Sequence, residues 1–255
     1  MPFVKHPLLA LPGDSQILWR YLDFPKFVSL VQRKAMFFPW INKLKDDPWE
    51  GRPSKLNFDE NRIIPVRFVN GKDNPLEYRK LKDVLNRPGE IEEHMQAHLR
   101  MSRMFFINCW HMNDGESDSQ WKIYGTSPFS MAVVSSFSLL SSAITDDKEI
   151  YGSRVSYYDP NNETTSEGNA FFLATHKRNA FIHEREFRLI YCDHSIIKTL
   201  DDPQGISVSI DLKILIQKVV ISPLAPPWFV TEVKTFMQTH GLNMDCVQSE
   251  LLNTW

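Results

Sequence analysis

Near the middle of the 255-residue chain, Met104 to His111 reads Met-Phe-Phe-Ile-Asn-Cys-Trp-His, a nearly continuous apolar run. A strand with that pattern has no face to give to water, so it predicts a central strand in a sheet covered on both sides. A second strand is expected at Arg185 to Cys192, where Phe187, Leu189 and Tyr191 alternate with Glu186, Arg188 and Ile190. Shorter strands are expected at Ala35–Trp40, Met131–Ser135, Ile150–Tyr158, Ile206–Ile210, Lys218–Ser222 and Asn243–Gln248, with Ile63–Val69 extended.

Between the strands lie helical signals. Asp23 can cap a helix opened by Phe24-Pro25, with Phe24, Phe27, Val28 and Val31 at helical spacing. Glu90 to Ser102 carries acids early and basic residues late, as the helix dipole favours. Helices are also expected from Pro75 to Leu85, Phe137 to Ile144, Ala170 to Asn179, and Pro227 to His240, the last ended by Gly241. The pattern predicts a single α+β domain over residues 1–255. It has a central mixed β-sheet flanked by helices and a helical insertion at 73–102 in the N-terminal half.

Charge and glycine content narrow the function. Lys plus Arg number 29 and Asp plus Glu 31, a net charge of −2, which argues against a nucleic-acid binder working by bulk electrostatics. Only 10 glycines occur and no two stand two residues apart, so G-x-G-x-x-G is absent, as is a P-loop. Any nucleotide would be held by side chains. Cys109, Cys192 and Cys246 are odd in number and far apart, which fits a reducing cytoplasm. Met1 to Leu11 lacks the flanks of a signal peptide, and no stretch of about 18 uninterrupted apolar residues exists to span a membrane. A cytoplasmic protein is expected, without a membrane partner.

Three constellations could carry chemistry. Trp110 to Gly125 leaves the central strand and packs Asp114, Glu116, Ser117, Asp118, Trp121 and Tyr124 into one turn. Loops at strand ends often hold functional groups. The same residues could equally be a capped turn, with Asp114 or Ser117 as cap and Trp121 and Tyr124 as anchors. Glu184, Glu186 and Arg188 share one strand face by period two. The default for three charges on a face is a solvated surface, but neighbouring carboxylates can also split their pKa values for catalysis. Arg20, between Trp19 and Tyr21, is either a surface ion pair or a planar fork for phosphate. His94 and His98 lack the further ligands of a metal site, and Cys109 reads as inert packing.

The chain resembles the bacterial "domain of unknown function 2971" family over about residues 17–250. The marks are Trp19-Arg20-Tyr21, Lys26-Phe27, Phe37-Phe38, Asp47-Pro48-Trp49-Glu50-Gly51, Cys109-Trp110 and Glu116-Ser117. Trp121-x-x-Tyr124-Gly125, His183-Glu184-x-Glu186-x-Arg188 and Ile221-Ser222-Pro223 complete them. It departs at Phe129-Ser130-Met131-Ala132-Val133, where the family has a glycine. Membership implies a bacterial cytoplasmic protein of accessory or phage-defence type.

More loosely, the order Arg20, then Tyr124-Gly125-Thr126-Ser127, then Glu184-x-Glu186 is similar to that of ADP-ribosyltransferases, some of which are toxins. That likeness implies NAD as cofactor and cleavage of its nicotinamide–ribose bond through an oxocarbenium-like state. It implies Glu186, Glu184 and Arg20 as catalytic residues. Glu186 would stabilise the ribosyl cation, Glu184 would orient or deprotonate the acceptor, and Arg20 would hold the pyrophosphate. The cofactor wall it implies is Tyr21, Tyr124, Trp110, Glu116, Ser117, Trp121 and Arg188, with no metal.

Two rival readings stand beside it. One is a metal-dependent nuclease or hydrolase in which Asp114, Glu116, Asp118, Glu184 and Glu186 converge, with Lys122 or Lys177 near. The other is a non-catalytic sensor or interaction domain whose Trp110, Trp121 and Arg188 pin a polar core.

Overall fold

The computed structural model describes residues 2–44, 47–66, 77–166, 168–199 and 202–252. Eight strands form one sheet: β1 (Phe3–Val4), β2 (Ile17–Asp23), β3 (Phe105–Met112), β4 (Ser130–Ser136), β5 (Ile150–Arg154), β6 (Glu186–Cys192), β7 (Lys218–Ile221) and β8 (Asp245–Gln248). Their order is β1-β5-β6-β3-β2-β4-β7-β8. The outermost pairs, β1/β5 and β7/β8, are parallel, and every inner pair is antiparallel. The expected α+β fold with a central mixed sheet is the one observed.

The apolar run of β3 is central because both its faces are covered. Phe106 and Trp110 join Phe187 and Leu189 in the larger core, while Phe105 and Ile107 meet Ile190 and Ala174 on the opposite side. The main helices are α1 (Phe24–Arg33), α2 (Glu90–Ser102), α3 (Asp118–Tyr124), α4 (Phe137–Ser142) and α5 (Pro227–Thr239). The Asp23 carboxylate accepts from the Lys26 backbone N–H at 2.8 Å, so the expected cap starts α1. Phe27, Leu30 and Val31 then bury against the larger core, as do Phe229, Val233 and Met237 of α5. Among the described residues no helix is long and apolar enough to cross a membrane.

One irregularity of the sheet makes room for a site. β2 pairs with β4 along its whole length, from Ile17↔Ser136 to Asp23↔Ser130. It pairs with β3 only at Leu18↔Met112 and Trp19↔His111, and then leaves it. Further down the same edge of β3, Trp40 bridges Phe106 and the Asn108 amide donates to the Phe37 carbonyl at 2.9 Å. The edge of β3 between these two attachments, around Cys109, faces an open wedge.

Two expected helices are corrected. In place of a helix from Pro75 to Leu85, Glu77–Lys80 is an exposed strand paired with Ile63–Val66, and only Leu81–Val84 is helical. Residues 73–76 of the expected insertion lie outside the described residues. Cross-strand pairing satisfies this backbone, and Tyr78 suits a strand. In place of a helix from Ala170 to Asn179, only Phe172–Thr175 is helical, and His176–Arg178 is a strand parallel to Ser156–Tyr158. There the backbone pairs with a neighbouring strand and Lys177 is buried. The expected Ile150–Tyr158 strand is also broken, at Val155, whose N–H donates to the Glu186 carbonyl at 2.9 Å.

Candidate active site

The wedge opens into a cavity of about 300 Å³, near the lower end of small-ligand pockets. Of the residues singled out in the sequence, Arg20, Tyr21, Trp110, Tyr124, Glu184, Glu186 and Arg188 line it. Residues 110 to 188 therefore meet Arg20 because β2, β3 and β6 are adjacent. Two strand spacings separate β2 from β6, which is about 10 Å across the sheet.

One wall is a buried ionic lock. Arg188, fully buried on β6, donates through Nη1 and Nη2 to the two oxygens of Glu50 at 2.7 and 3.1 Å. Its Nε donates to Glu186 Oε2 at 2.7 Å and its Nη1 also to the Ala174 carbonyl at 2.9 Å. Lys177 Nζ donates to Glu186 Oε1 at 2.6 Å and to Glu184 Oε2. The Tyr124 hydroxyl donates to Glu184 Oε1 at 3.2 Å, and the Glu186 N–H donates to the Tyr157 hydroxyl at 2.9 Å. Glu184 and Glu186 are each 5% exposed, so the solvated face expected as the default is not what forms.

The geometry of the pair also differs from simple strand alternation. Glu184 closes a 3-10 turn, Asn179–Glu184, and Arg185 follows at φ 44° before β6 begins. This left-handed residue, unusual for a side chain with a Cβ, bends the chain so that both carboxylates reach Lys177.

The electrostatics split the two acids. Burial and the adjacent Glu186 push the Glu184 carboxyl up to about 8. Glu186 is buried too, but Arg188 and Lys177 hold it well below the usual carboxylate range. With Glu184 protonated, two cations face two anions, Glu50 and Glu186, and the lock is neutral. Burial beside the carboxylates also raises the Tyr124 phenol.

The facing wall is different. The Arg20 guanidinium donates from Nη1 to the Cys109 carbonyl at 3.1 Å and lies 6.0 Å from the Trp110 ring centre. Among the described residues no carboxylate pairs with it. Burial lowers its pKa to about 10, so it stays charged at neutral pH. A desolvated cation without a counter-ion is a ready binding point for an anion. Tyr21 stands beside it, its ring 4.9 Å from Trp121 and 6.4 Å from His111.

Three predicted cofactor residues lie behind the wall rather than on it. The Ser117 hydroxyl caps α3 by accepting from the Gln120 N–H at 3.4 Å, and the Ser117 N–H donates to the Tyr21 hydroxyl at 3.0 Å. Trp121 donates to Glu116 Oε2 at 3.0 Å, and Ser249 also donates to that oxygen, so Glu116 ties α3 to the C-terminal segment. Of the capped-turn reading, the Ser117 cap and the buried Trp121 anchor are what forms, while Tyr124 reaches the cavity. Gly125 is required there, because a Cβ would meet Trp121 Cε3 at 2.5 Å. Thr126 is exposed and lines a separate depression.

The acids expected to converge on a metal stand apart. Asp114 lines another depression with Arg154 and Arg185, and Asp118 pairs with Lys122 at 2.6 Å. Glu184 and Glu186 are already committed to Lys177 and Arg188. His94 and His98 pack ring to ring at 4.5 Å and against Phe58. Cys109 lines the cavity, but burial raises its thiol far from a thiolate.

Sequence reasoning missed several members of the site. Glu50 was visible only as part of Asp47-Pro48-Trp49-Glu50-Gly51, and no spacing rule links it to Arg188, 138 residues away. Asp47 of the same motif pairs with Arg178 at 2.5 Å, holding the loop to the 176–178 strand. His111 and Gln120 carried no signal beyond their place beside Trp110 and Trp121.

No family model matches the chain, and no curated protein matches it, so the likeness to the family of unknown function stays a resemblance. Among solved structures, DarT of Thermus sp. 2.9 in complex with carba-NAD+ is 7% identical, with a TM-score of 0.41 over 94% of this chain and 98% of that one. The same protein with ADP-ribosylated ssDNA is 8% identical, with a TM-score of 0.39 over 94% and 97%. Its complex with NAD+ is 9% identical, with a TM-score of 0.37 over 93% and 97%. An alignment this loose leaves the chemistry to be read from the cavity's own residues.

Proposed function

We propose that the cavity binds NAD and that the protein transfers or hydrolyses its ADP-ribosyl group. The observation that carries this reading is the pairing of two opposed walls in one wedge. Arg20 is a half-buried cation that, among the described residues, has no carboxylate partner, and facing it are an ionised and a protonated glutamate. An anionic ligand that develops positive charge at one carbon suits both walls. NAD is such a ligand, with a pyrophosphate for Arg20 and a ribosyl C1′ for Glu186.

In this scheme the C1′–N bond of the nicotinamide riboside breaks, and its electron pair moves onto the pyridine nitrogen, releasing neutral nicotinamide. Glu186, fixed in position by Lys177 and Arg188, stabilises the ribosyl cation without reorganising. Water or an acceptor group then attacks C1′, and its proton passes to Glu184. Glu184 can take that proton only after losing its own, so this step strengthens towards pH 8. Tyr21 and Tyr124 supply aromatic surface for the base.

Nicotinamide release by the purified protein tests the proposal. Release is expected from the wild type, rising from pH 6 to 8, and Glu184→Gln should lower it by at least about 100-fold and flatten that rise. Wild-type protein that releases none would contradict it. One observation favours the non-catalytic reading instead: every oxygen of Glu50 and Glu186 is already bonded. That reading expects Glu184→Gln to change stability and no chemistry.

A further inference from the structure

Among the described residues, two polar atoms in the cavity walls are buried without a hydrogen-bond partner, His111 Nε2 and Gln120 Nε2. Both residues are more than nine-tenths buried, His111 at 6% and Gln120 at 3% exposure. Leaving such atoms unsatisfied is costly, and two of them in one cavity point to a ligand that completes them.

The polarity of His111 is fixed by its other nitrogen. Nδ1 lies 2.6 Å from the Glu184 backbone carbonyl, so Nδ1 carries the proton and donates it. Burial keeps the ring neutral at physiological pH. Nε2 is then a bare lone pair and accepts only. Gln120, held at the start of α3 by the Ser117 cap, offers its amide N–H, and a half-turn would offer its oxygen instead. His111 therefore sets what the ligand must present: a donor, with a group that Gln120 can meet nearby. Tyr21 lies between the two elements, its ring contacting both His111 and Trp121, the neighbour of Gln120.

We propose that His111 and Gln120 read a primary carboxamide, that of the nicotinamide ring. This rests on the NAD reading above and adds the group that selects the base. A carboxamide places an N–H donor and a carbonyl acceptor side by side in one plane. The N–H meets His111 Nε2 and the carbonyl meets the Gln120 N–H. A carboxylate in its place has no donor and sets a lone pair against a lone pair.

The test is calorimetric titration of the protein with NAD and, separately, with nicotinic acid adenine dinucleotide, which differs only in that group. NAD is expected to bind about 10- to 100-fold more tightly to the wild type. His111→Phe and Gln120→Leu should each lower the ratio towards one. Equal affinities in the wild type, or a ratio unchanged in both variants, would overturn the assignment while leaving NAD binding intact. Binding of neither dinucleotide would instead overturn the NAD reading itself. If His111→Phe fails to fold, the wild-type ratio and Gln120→Leu still decide.

Discussion

Two arginines on strands either side of β3 face the same cavity in opposite states. Arg188 donates four hydrogen bonds, to Glu50, Glu186 and a backbone carbonyl, whereas among the described residues Arg20 holds one carbonyl and no carboxylate. Arg188 is fully buried and Arg20 half-buried, so the two differ in exposure as well as in partners. The lock around Arg188 uses charge to fix geometry, holding Glu186 in place between Arg188 and Lys177. The wall around Arg20, His111 and Gln120 has unmet capacity, which is what a binding surface looks like before its ligand arrives. Stability should therefore reside in the first wall and affinity in the second.

Breaking the lock should have the largest effect. Arg188→Met strands Glu50 and Glu186 in the interior and is expected to cost about 3–5 kcal/mol, read from urea unfolding. A loss below about 1 kcal/mol would mean the lock is not under charge stress.

The next effect is pH dependent. Glu184 holds its proton up to about pH 8 in the folded state, against 4.5 as its ordinary value. Between these values the folded protein binds one proton more than the unfolded chain. Stability contributed by Glu184 should thus fall as pH rises across this window, by up to about 1.4 kcal/mol per pH unit, and level off above it. Glu184→Gln, a permanent neutral mimic, should remove that slope. The ionisation that activates Glu184 as a base is thus the one that weakens the fold.

A smaller effect belongs to the bend between the acids. Arg185 sits at φ 44°, so Arg185→Gly should relieve strain and gain up to about 1 kcal/mol, less the bond from Arg185 Nη1 to Asn113 Oδ1 at 3.1 Å. The smallest stability change is expected on the open wall. Arg20→Met should shift unfolding by less than about 1 kcal/mol, since it removes a half-buried charge that has no carboxylate to abandon.

The sheet was legible in the sequence because its signals are local. The apolar run of β3 and the alternation of β6 appear in any window of eight residues. The Asp23 cap and the Glu90–Ser102 helix were likewise readable. The site was legible in part. Arg20, Tyr124, Glu184, Glu186 and Arg188 stood out as charged or aromatic residues in compact motifs. Glu50 did not, and Lys177 stood out only as a lysine for a metal site, because their roles come from contacts across the fold. Lys177 even sits where a helix was expected, in a strand paired with Ser156–Tyr158. Glu116 is the opposite case: a conspicuous acid that bonds Trp121 and Ser249 and does not line the cavity.

The measurement closest to the central claim is calorimetric titration of NAD into the wild-type protein and into Arg20→Met, with thermal melts of both. The wild type should bind NAD, and Arg20→Met should bind it at least about 100-fold more weakly at an almost unchanged melting temperature. Equal affinity in the two proteins, or no binding by the wild type, would contradict the assignment of the open wall as the seat of NAD recognition.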